Sequence, residues 1–518
     1  MLFLAVAGAA FISRAQPSSP QLRQAAYLKA SNTEMGDRFG NGGALEGHSV
    51  ALSGDGNTLA VGAPYESSGA KGINGGQNDN SVYSAGAVYV FIRGNNRWVQ
   101  QAYVKASNPG QSDKFGYVVS LSQDGNTLAV SAFFEASAAK GVNGDESDNS
   151  IPQAGAVYIF ARAGATWVQQ AYIKASNTGE AGVGDQFGDG DQFGFSISLS
   201  AGGNTLAVGA IGEDSGAKGI NGDQNDNSQS GAGAVYLFTR TGTMWSQQAY
   251  IKASNADAGD LFGYSVGLSA DGNTLAASAF DEEGSARQIN GVQDKGRRGS
   301  GAIYVFARTG ATWSQQAYLK ASNAEGGDSL GYAIAISQDG NTIAGGAADE
   351  DCLTPGINPP DCDNDQRMDN SSGAAYVFVR NGTDWSQQAF IKASNPGKED
   401  WFGSRLMLSG DGNTLAVGAQ VENGGAKGIN GPADDAAEDA GAAYFFTRAG
   451  AAWTRKAYVK ASNAEAYDEF GSSMALSKDG KLMAVGARSE ASGAKGIGGN
   501  QNDNSARESG AVYIFTYQ

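Results

Sequence analysis

Histidine is almost missing: the 518 residues contain one, His48. That excludes a histidine metal triad and any repeated Ser-His-Asp arrangement, because both need imidazole as ligand or base. Cysteine is limited to Cys352 and Cys362, ten positions apart. This spacing fits no common zinc motif, and in a secreted chain a pair so close reads as a disulfide. Cations are scarce: 36 Lys and Arg against 53 Asp and Glu give a net charge of −17. Such a surface repels phosphate backbones and excludes nucleic acid as a partner. No apolar run is long enough to span a bilayer as a helix, and Leu2–Ile12 falls well short. With Ser13 and Ala15 behind it, that run fits a signal peptide over 1–15, followed by a leader over 16–22, although the basic start of such peptides is missing. Helical periodicity is lacking throughout, so the chain reads as all-β.

Glycine is abundant, at 76 residues, and so is repetition. Trp98-Val-Gln-Gln-Ala-Tyr-Val-Lys-Ala-Ser-Asn108 is followed by Phe-Gly, then Ser-x-Asp-Gly-Asn-Thr-Leu-Ala-Val, then Gly-Ala-Val-Tyr-Val-Phe. The aromatic after Gln-Gln-Ala marks the register at Tyr27, Tyr103, Tyr172, Tyr250, Tyr318, Phe390 and Tyr458. The repeats begin near 23, 99, 168, 246, 314, 386 and 454 and fill 23–518 as one domain. A fixed period of this length signals a repeat architecture.

Each copy predicts four strands, in the second copy Tyr117–Ser122, Asn126–Ala132, Ala156–Phe160 and Trp167–Ser176. Asp124-Gly125 and Ala163-Gly164-Ala165-Thr166 predict tight turns, with a long Gly/Asn/Asp-rich loop between the second and third strands. The strands are apolar on both faces, so each four-stranded antiparallel sheet needs a neighbour on either side. A single seven-bladed β-propeller satisfies this. The chain opens on a lone fourth strand, Gln24–Ala30, and closes on a third strand, Gly510–Phe515. The ring is therefore expected to be sealed by the N-terminal strand.

These residues resemble the FG-GAP repeat family, the propeller type of integrin α heads. Phe-Gly stands at 39–40, 115–116, 193–194, 262–263, 402–403 and 470–471, with Leu330-Gly331 in the fifth blade, and Gly-Ala-Pro is intact at 62–64. The resemblance implies a seven-bladed propeller and extracellular binding or adhesion rather than chemistry. It does not carry over the family's calcium loops, since Ser-Gly-Asp-Gly-Asn-Thr at 53–58 has one carboxylate where they have several. Ser477-Lys-Asp-Gly-Lys481 also resembles turns of WD40-like and TolB-like propellers, which share the architecture.

The tight turns leave one face of the ring bare and gather the long loops on the other, where binding residues usually sit. Four polar residues repeat there. Lys29, Lys105, Lys174, Lys252, Lys320, Lys392 and Lys460 end the fourth strands. Asn32 and its six counterparts end the Lys-Ala-Ser-Asn tetrads, and Asp37 and its counterparts precede Phe-Gly. Glu66, Glu135, Glu213, Glu282, Glu350, Glu422 and Glu490 follow the Gly-Ala element. They read either as ligand sites on a binding face or, more simply, as a Lys–carboxylate and Asn network joining adjacent blades.

Asp361, Asp363, Asp365 and Asp369 in the fifth long loop have the alternation that directs oxygens at Ca²⁺, making calcium the expected cofactor; no organic cofactor is implied. A Cys352–Cys362 bridge would brace that loop. The fourth loop is basic instead, with Lys295, Arg297 and Arg298. Asp79, Asp148, Asp226 and Asp503 recur in other loops as turn formers. Carboxylates abound only as rings and single out no acid/base pair. The expectation is a non-enzymatic, secreted or cell-surface binding propeller with an extracellular protein or glycan partner. The alternative is a self-assembling subunit of a matrix, surface layer or filament.

Overall fold

The computed structural model describes residues 21–42, 48–179, 190–360, 362 and 370–517. The expected signal peptide and the four aspartates of the proposed calcium loop lie outside them.

Seven four-stranded antiparallel sheets form the blades of a propeller. Blade 1 runs outward through Val50–Leu52, Thr58–Ala63, Ala87–Gly94 and Arg97–Val104. Blade 7 is composite: Phe470–Leu476, Leu482–Ala487 and Ala511–Tyr517 are completed by the N-terminal strand Leu22–Leu28. Its register runs from Leu22 opposite Tyr517 to Leu28 opposite Val512. The ring is sealed as the chain ends implied.

Alternation along the strands builds the core. In blade 1, Leu59, Val61, Tyr89 and Phe91 face blade 7 and pack with Ala484, Val512 and Ile514. Ala60, Val88 and Val90 face blade 2 and pack with Tyr158 and Phe160. Each blade thus presents a bulky side to a smaller one. The closest approach is between glycines. A Cβ on Gly62 would lie 1.9 Å from the Gly116 carbonyl oxygen of the next blade, and Gly116 itself has φ 92°. The Phe-Gly element is therefore a blade joint. Phe115 donates its N–H to Ala85 of blade 1 at 3.0 Å while its ring packs edge-on against Tyr158 of blade 2.

That joint explains the main difference from the expected strand bounds. In blade 2 the inner strand is only Val119–Leu121: Phe115 donates to Ala85 of the preceding blade, while Gly116 donates to Ser131 of its own blade at 2.9 Å. The third strand extends to Ala163, and the outer strand, Thr166–Ile173, stops before Lys174.

On the tight-turn face Asp55 accepts from the Ser53 hydroxyl at 2.6 Å and the Asn57 N–H at 2.9 Å. Burial works against its charge, but these hydrogen bonds hold the carboxyl below its ordinary value. The seven turns are also joined to one another. Gly54 N–H donates to Gln123, Gln123 to Ala201, Ala201 to Ala270, Ala270 to Gln338, Gln338 to Gly410, Gly410 to Lys478 and Lys478 back to Gly54, all at 2.8–3.0 Å. A closed ring of backbone hydrogen bonds encircles the axis.

Candidate binding face

The long loops are folded back rather than free. Ile73 bridges Val104, and Asn74 caps the outer strand, its side chain accepting the Tyr103 N–H at 2.9 Å. Asp79, Asp148, Asp226 and Asp503 each accept the N–H two residues on at 3.0–3.1 Å, which makes them turn formers as expected.

Beneath these loops the polar rings divide their work differently from the expected blade-joining network. Every Lys–Glu pair closes within one blade: Lys105–Glu66, Lys174–Glu135, Lys252–Glu213, Lys320–Glu282, Lys460–Glu422 and Lys29–Glu490 at 2.7–3.0 Å, and Lys392–Glu350 likewise. The pair ties the second strand's end to the outer strand's end. The crossing between blades belongs to asparagine. The amide of Asn108, which follows blade 1, donates to Glu135 of blade 2 at 3.1 Å and accepts from Tyr158 of blade 2 at 2.6 Å. The same Asn–Glu contact recurs at all seven joints. The Asp ring orders the links, as where Asp113 accepts the Gly110 N–H at 2.7 Å.

All seven glutamates are at most 3 % exposed, so they support the face from below. Burial pulls the lysines below their ordinary value while the paired glutamates pull back, as for Lys105 beside Glu66. Burial lifts Asp37, Asp113, Asp400 and Asp468 to about 7 and Asp260, beside Glu282, to about 8.

The two unusual loops are placed as follows. Cys352 and Cys362 are disulfide-bonded. Lys295 is exposed and reaches Asp257, the Arg297 guanidinium donates to the Ala324 carbonyl, and Arg298 lies exposed. Among the described residues no group of three or more His, Cys, Asp or Glu could hold a metal. His48 lines the central channel, and burial, then the Arg405 charge, push it down to about 3.

A second joint, on the tight-turn side, went unread in the sequence. Arg240 of blade 3 stacks on Trp245 with its guanidinium carbon 5.4 Å from the ring centre, and both donate to the Gln170 carbonyl of blade 2 at 3.1 Å. Arg162–Gln101, Arg308–Gln248, Arg380–Gln316 and Arg448–Gln388 repeat this clamp. The available signal was the Gln-Gln-Ala marker itself. A bulge at its second Gln turns that side chain toward the next blade.

A sealed ring with one bare face and one loop-bearing face over buried polar joints defines a seven-bladed β-propeller. The FG-GAP repeat profile matches residues 98–160, 245–306, 313–378, 385–446 and 453–515, more than half of the chain. The chain belongs to the FG-GAP repeat family. No curated protein matches it. Similar solved structures include the RRP9 WD40 repeats, 9 % identical, covering 96 % of this chain and 100 % of that one at a TM-score of 0.47. Another is hydrazine synthase of Kuenenia stuttgartiensis, 12 % identical, covering 84 % and 91 % at 0.44. Among the described residues no helix is long and apolar enough to cross a membrane.

Proposed function

We propose that this chain is a secreted or cell-surface, non-enzymatic propeller that engages an extracellular protein or glycan through its long-loop face. One observation supports this most. The joints repeat around the ring, whereas the loops and links of that face carry exposed side chains that break the repeat: Tyr83, Lys295, Arg298 and Tyr467. A rigid repeated scaffold with variable loops at one end is the arrangement that binding proteins use. Calcium at Asp361, Asp363, Asp365 and Asp369, beside the Cys352–Cys362 bridge, is part of the proposal. Its check is calorimetry at millimolar Ca²⁺, with Asp363→Ala/Asp365→Ala expected to remove the heat.

A glycan array combined with a pull-down from the native surroundings tests the reading. A partner whose binding is lost on grafting a short Gly-Ser loop in place of 286–297 or 74–82 supports it. Ordered polymers in negative stain with no captured partner would favour the surface-layer or filament alternative.

A further inference from the structure

One joint of the long-loop face is unlike the other six. Between blades 1 and 2 lies an open cleft of about 460 Å³, within the size range of small-ligand sites. Its walls are aromatic. The residue before the buried glutamate is Tyr65 in blade 1 and Phe134 in blade 2, against Gly212, Asp281, Asp349, Val421 and Ser489 elsewhere. At the rim stands Tyr83, 65 % exposed.

Between the walls sits a cation. The Lys114 ammonium is 5.0 Å from the Tyr65 ring centre and 4.4 Å from that of Phe134. No carboxylate among the described residues forms an ion pair with it, whereas its counterpart in blade 1, Arg38, is paired with Glu508. The counterparts in the other five blades are Gln192, Leu261, Ser329, Trp401 and Glu469, none of them cationic. A positive charge without a counter-ion is notable on a chain of net charge −17.

A second, independent observation lies in the floor. Ser84 lines the same cleft and is 2 % exposed, and its hydroxyl has no hydrogen-bond partner among the described residues. A buried hydroxyl left unpaired is costly unless something from outside completes it. Gln111 and Gln153 add amides at the edge.

These groups together select a ligand class. A lone ammonium suits a carboxylate, whereas bidentate phosphate recognition favours the arginine fork, and the arginine at this wall, Arg38, 4.8 Å from the Tyr65 ring centre, is already paired with Glu508. Exposed tyrosine faces suit a flat apolar ring surface, and hydroxyl and amide groups suit a ligand rich in hydroxyls. We propose that this cleft binds a carboxylate-bearing sugar unit of an acidic polysaccharide. Lys114 pairs with the carboxylate, Tyr83 stacks on the sugar ring, and the Ser84 hydroxyl bonds a sugar hydroxyl. The proposal rests on the binding reading above and narrows it to one joint.

The test is calorimetric titration of the full chain with tetragalacturonate and with its neutral methyl ester, at low salt. The expected result is one site per chain, with the ester weaker by about tenfold, the scale of one charge-assisted contact. Lys114→Gln keeps the stem between the rings and should abolish the preference for the acid. Tyr83→Ala should weaken both ligands, with unchanged melting curves for both variants. No binding at millimolar concentration, an unaltered preference in Lys114→Gln, or equal competition by tetraglutamate would overturn the proposal. If these variants still capture a partner in the array or pull-down, the cleft fails and the binding face stands. If the wild type captures none either, the broader reading fails with it.

Discussion

Blade 7 and the other six use the same inner joints but differ at the rim. The turn-to-turn hydrogen bond and the Asn–Glu–Tyr crossing are present on both sides of blade 7: Gly410 and Lys478 donate onward, Asn463 reaches Glu490, and Asn32 reaches Glu66. The Arg–Gln–Trp clamp is present on neither side. At the joint with blade 6, Lys456 stands where the glutamine would be and Tyr517 where the arginine would be, and Tyr517 packs on Phe445 instead. At the joint with blade 1, Arg93 and Trp98 are in place but the glutamine position is Ala25. The blade assembled from both chain ends is therefore held without the clamp, by strand pairing, the circle of turns, the Asn–Glu–Tyr crossing and apolar packing against its neighbours. Closure of a propeller is governed near the axis, and the rim can vary.

The comparison can be broken at several points. Removing residues 21–30 takes the outer strand from blade 7 and leaves an open edge, a template for association. Loss of the cooperative melt or aggregation is expected by calorimetry and light scattering, and an unchanged melting curve would refute strand closure. Next in size is the buried pair: Glu213→Ala strands Lys252 without its partner, a loss of about 3–5 kcal/mol in denaturant titration. Glu490→Ala in blade 7 should cost as much, because that pair does not differ between the two regions.

The clamp gives a smaller effect with opposite signs. Gln248→Ala should destabilise by about 1 kcal/mol, and Ala25→Gln, which offers Arg93 and Trp98 their missing acceptor, should stabilise by a similar amount. Equal effects of the two changes in one direction would count against the clamp. A further effect concerns pH. Asp37, Asp113, Asp400 and Asp468 have folded values of about 7 and Asp260 of about 8, above the unfolded value of about 4. Such groups contribute stability that is present below about pH 4 and lost as the pH rises through 7–8. The melting temperature should therefore rise between pH 8 and pH 5, and Asp113→Asn, neutral at every pH, should reduce that rise.

The fold was legible because its evidence is redundant: seven copies in register and a split repeat at the ends imply a sealed ring. Which repeated side chains touch was not. A ring of lysines and a ring of glutamates have the same spacing whether each pair closes inside a blade or across to its neighbour. Only the geometry assigns Lys105–Glu66 to one blade and Asn108–Glu135 to two. The clamp was hidden for a related reason. Strand alternation alone would not aim Gln101 at the next blade, and the bulge that does so shows in the sequence only as the repeated Gln-Gln-Ala marker. The cleft at Tyr65, Tyr83 and Lys114 escaped notice because its residues are far apart in sequence and are informative only as departures from the repeat.

The central claim, a ring sealed at the axis through a blade left unclamped at the rim, is tested most directly by residue-resolved hydrogen exchange. The amides of Gly410 and Lys478, which carry the circle of turns into and out of blade 7, should exchange as slowly as those of Ala201 and Gln338 on the clamped side. Exchange at Gly410 and Lys478 as fast as in the exposed loops, with Ala201 and Gln338 still protected, would mean that the circle is open at blade 7.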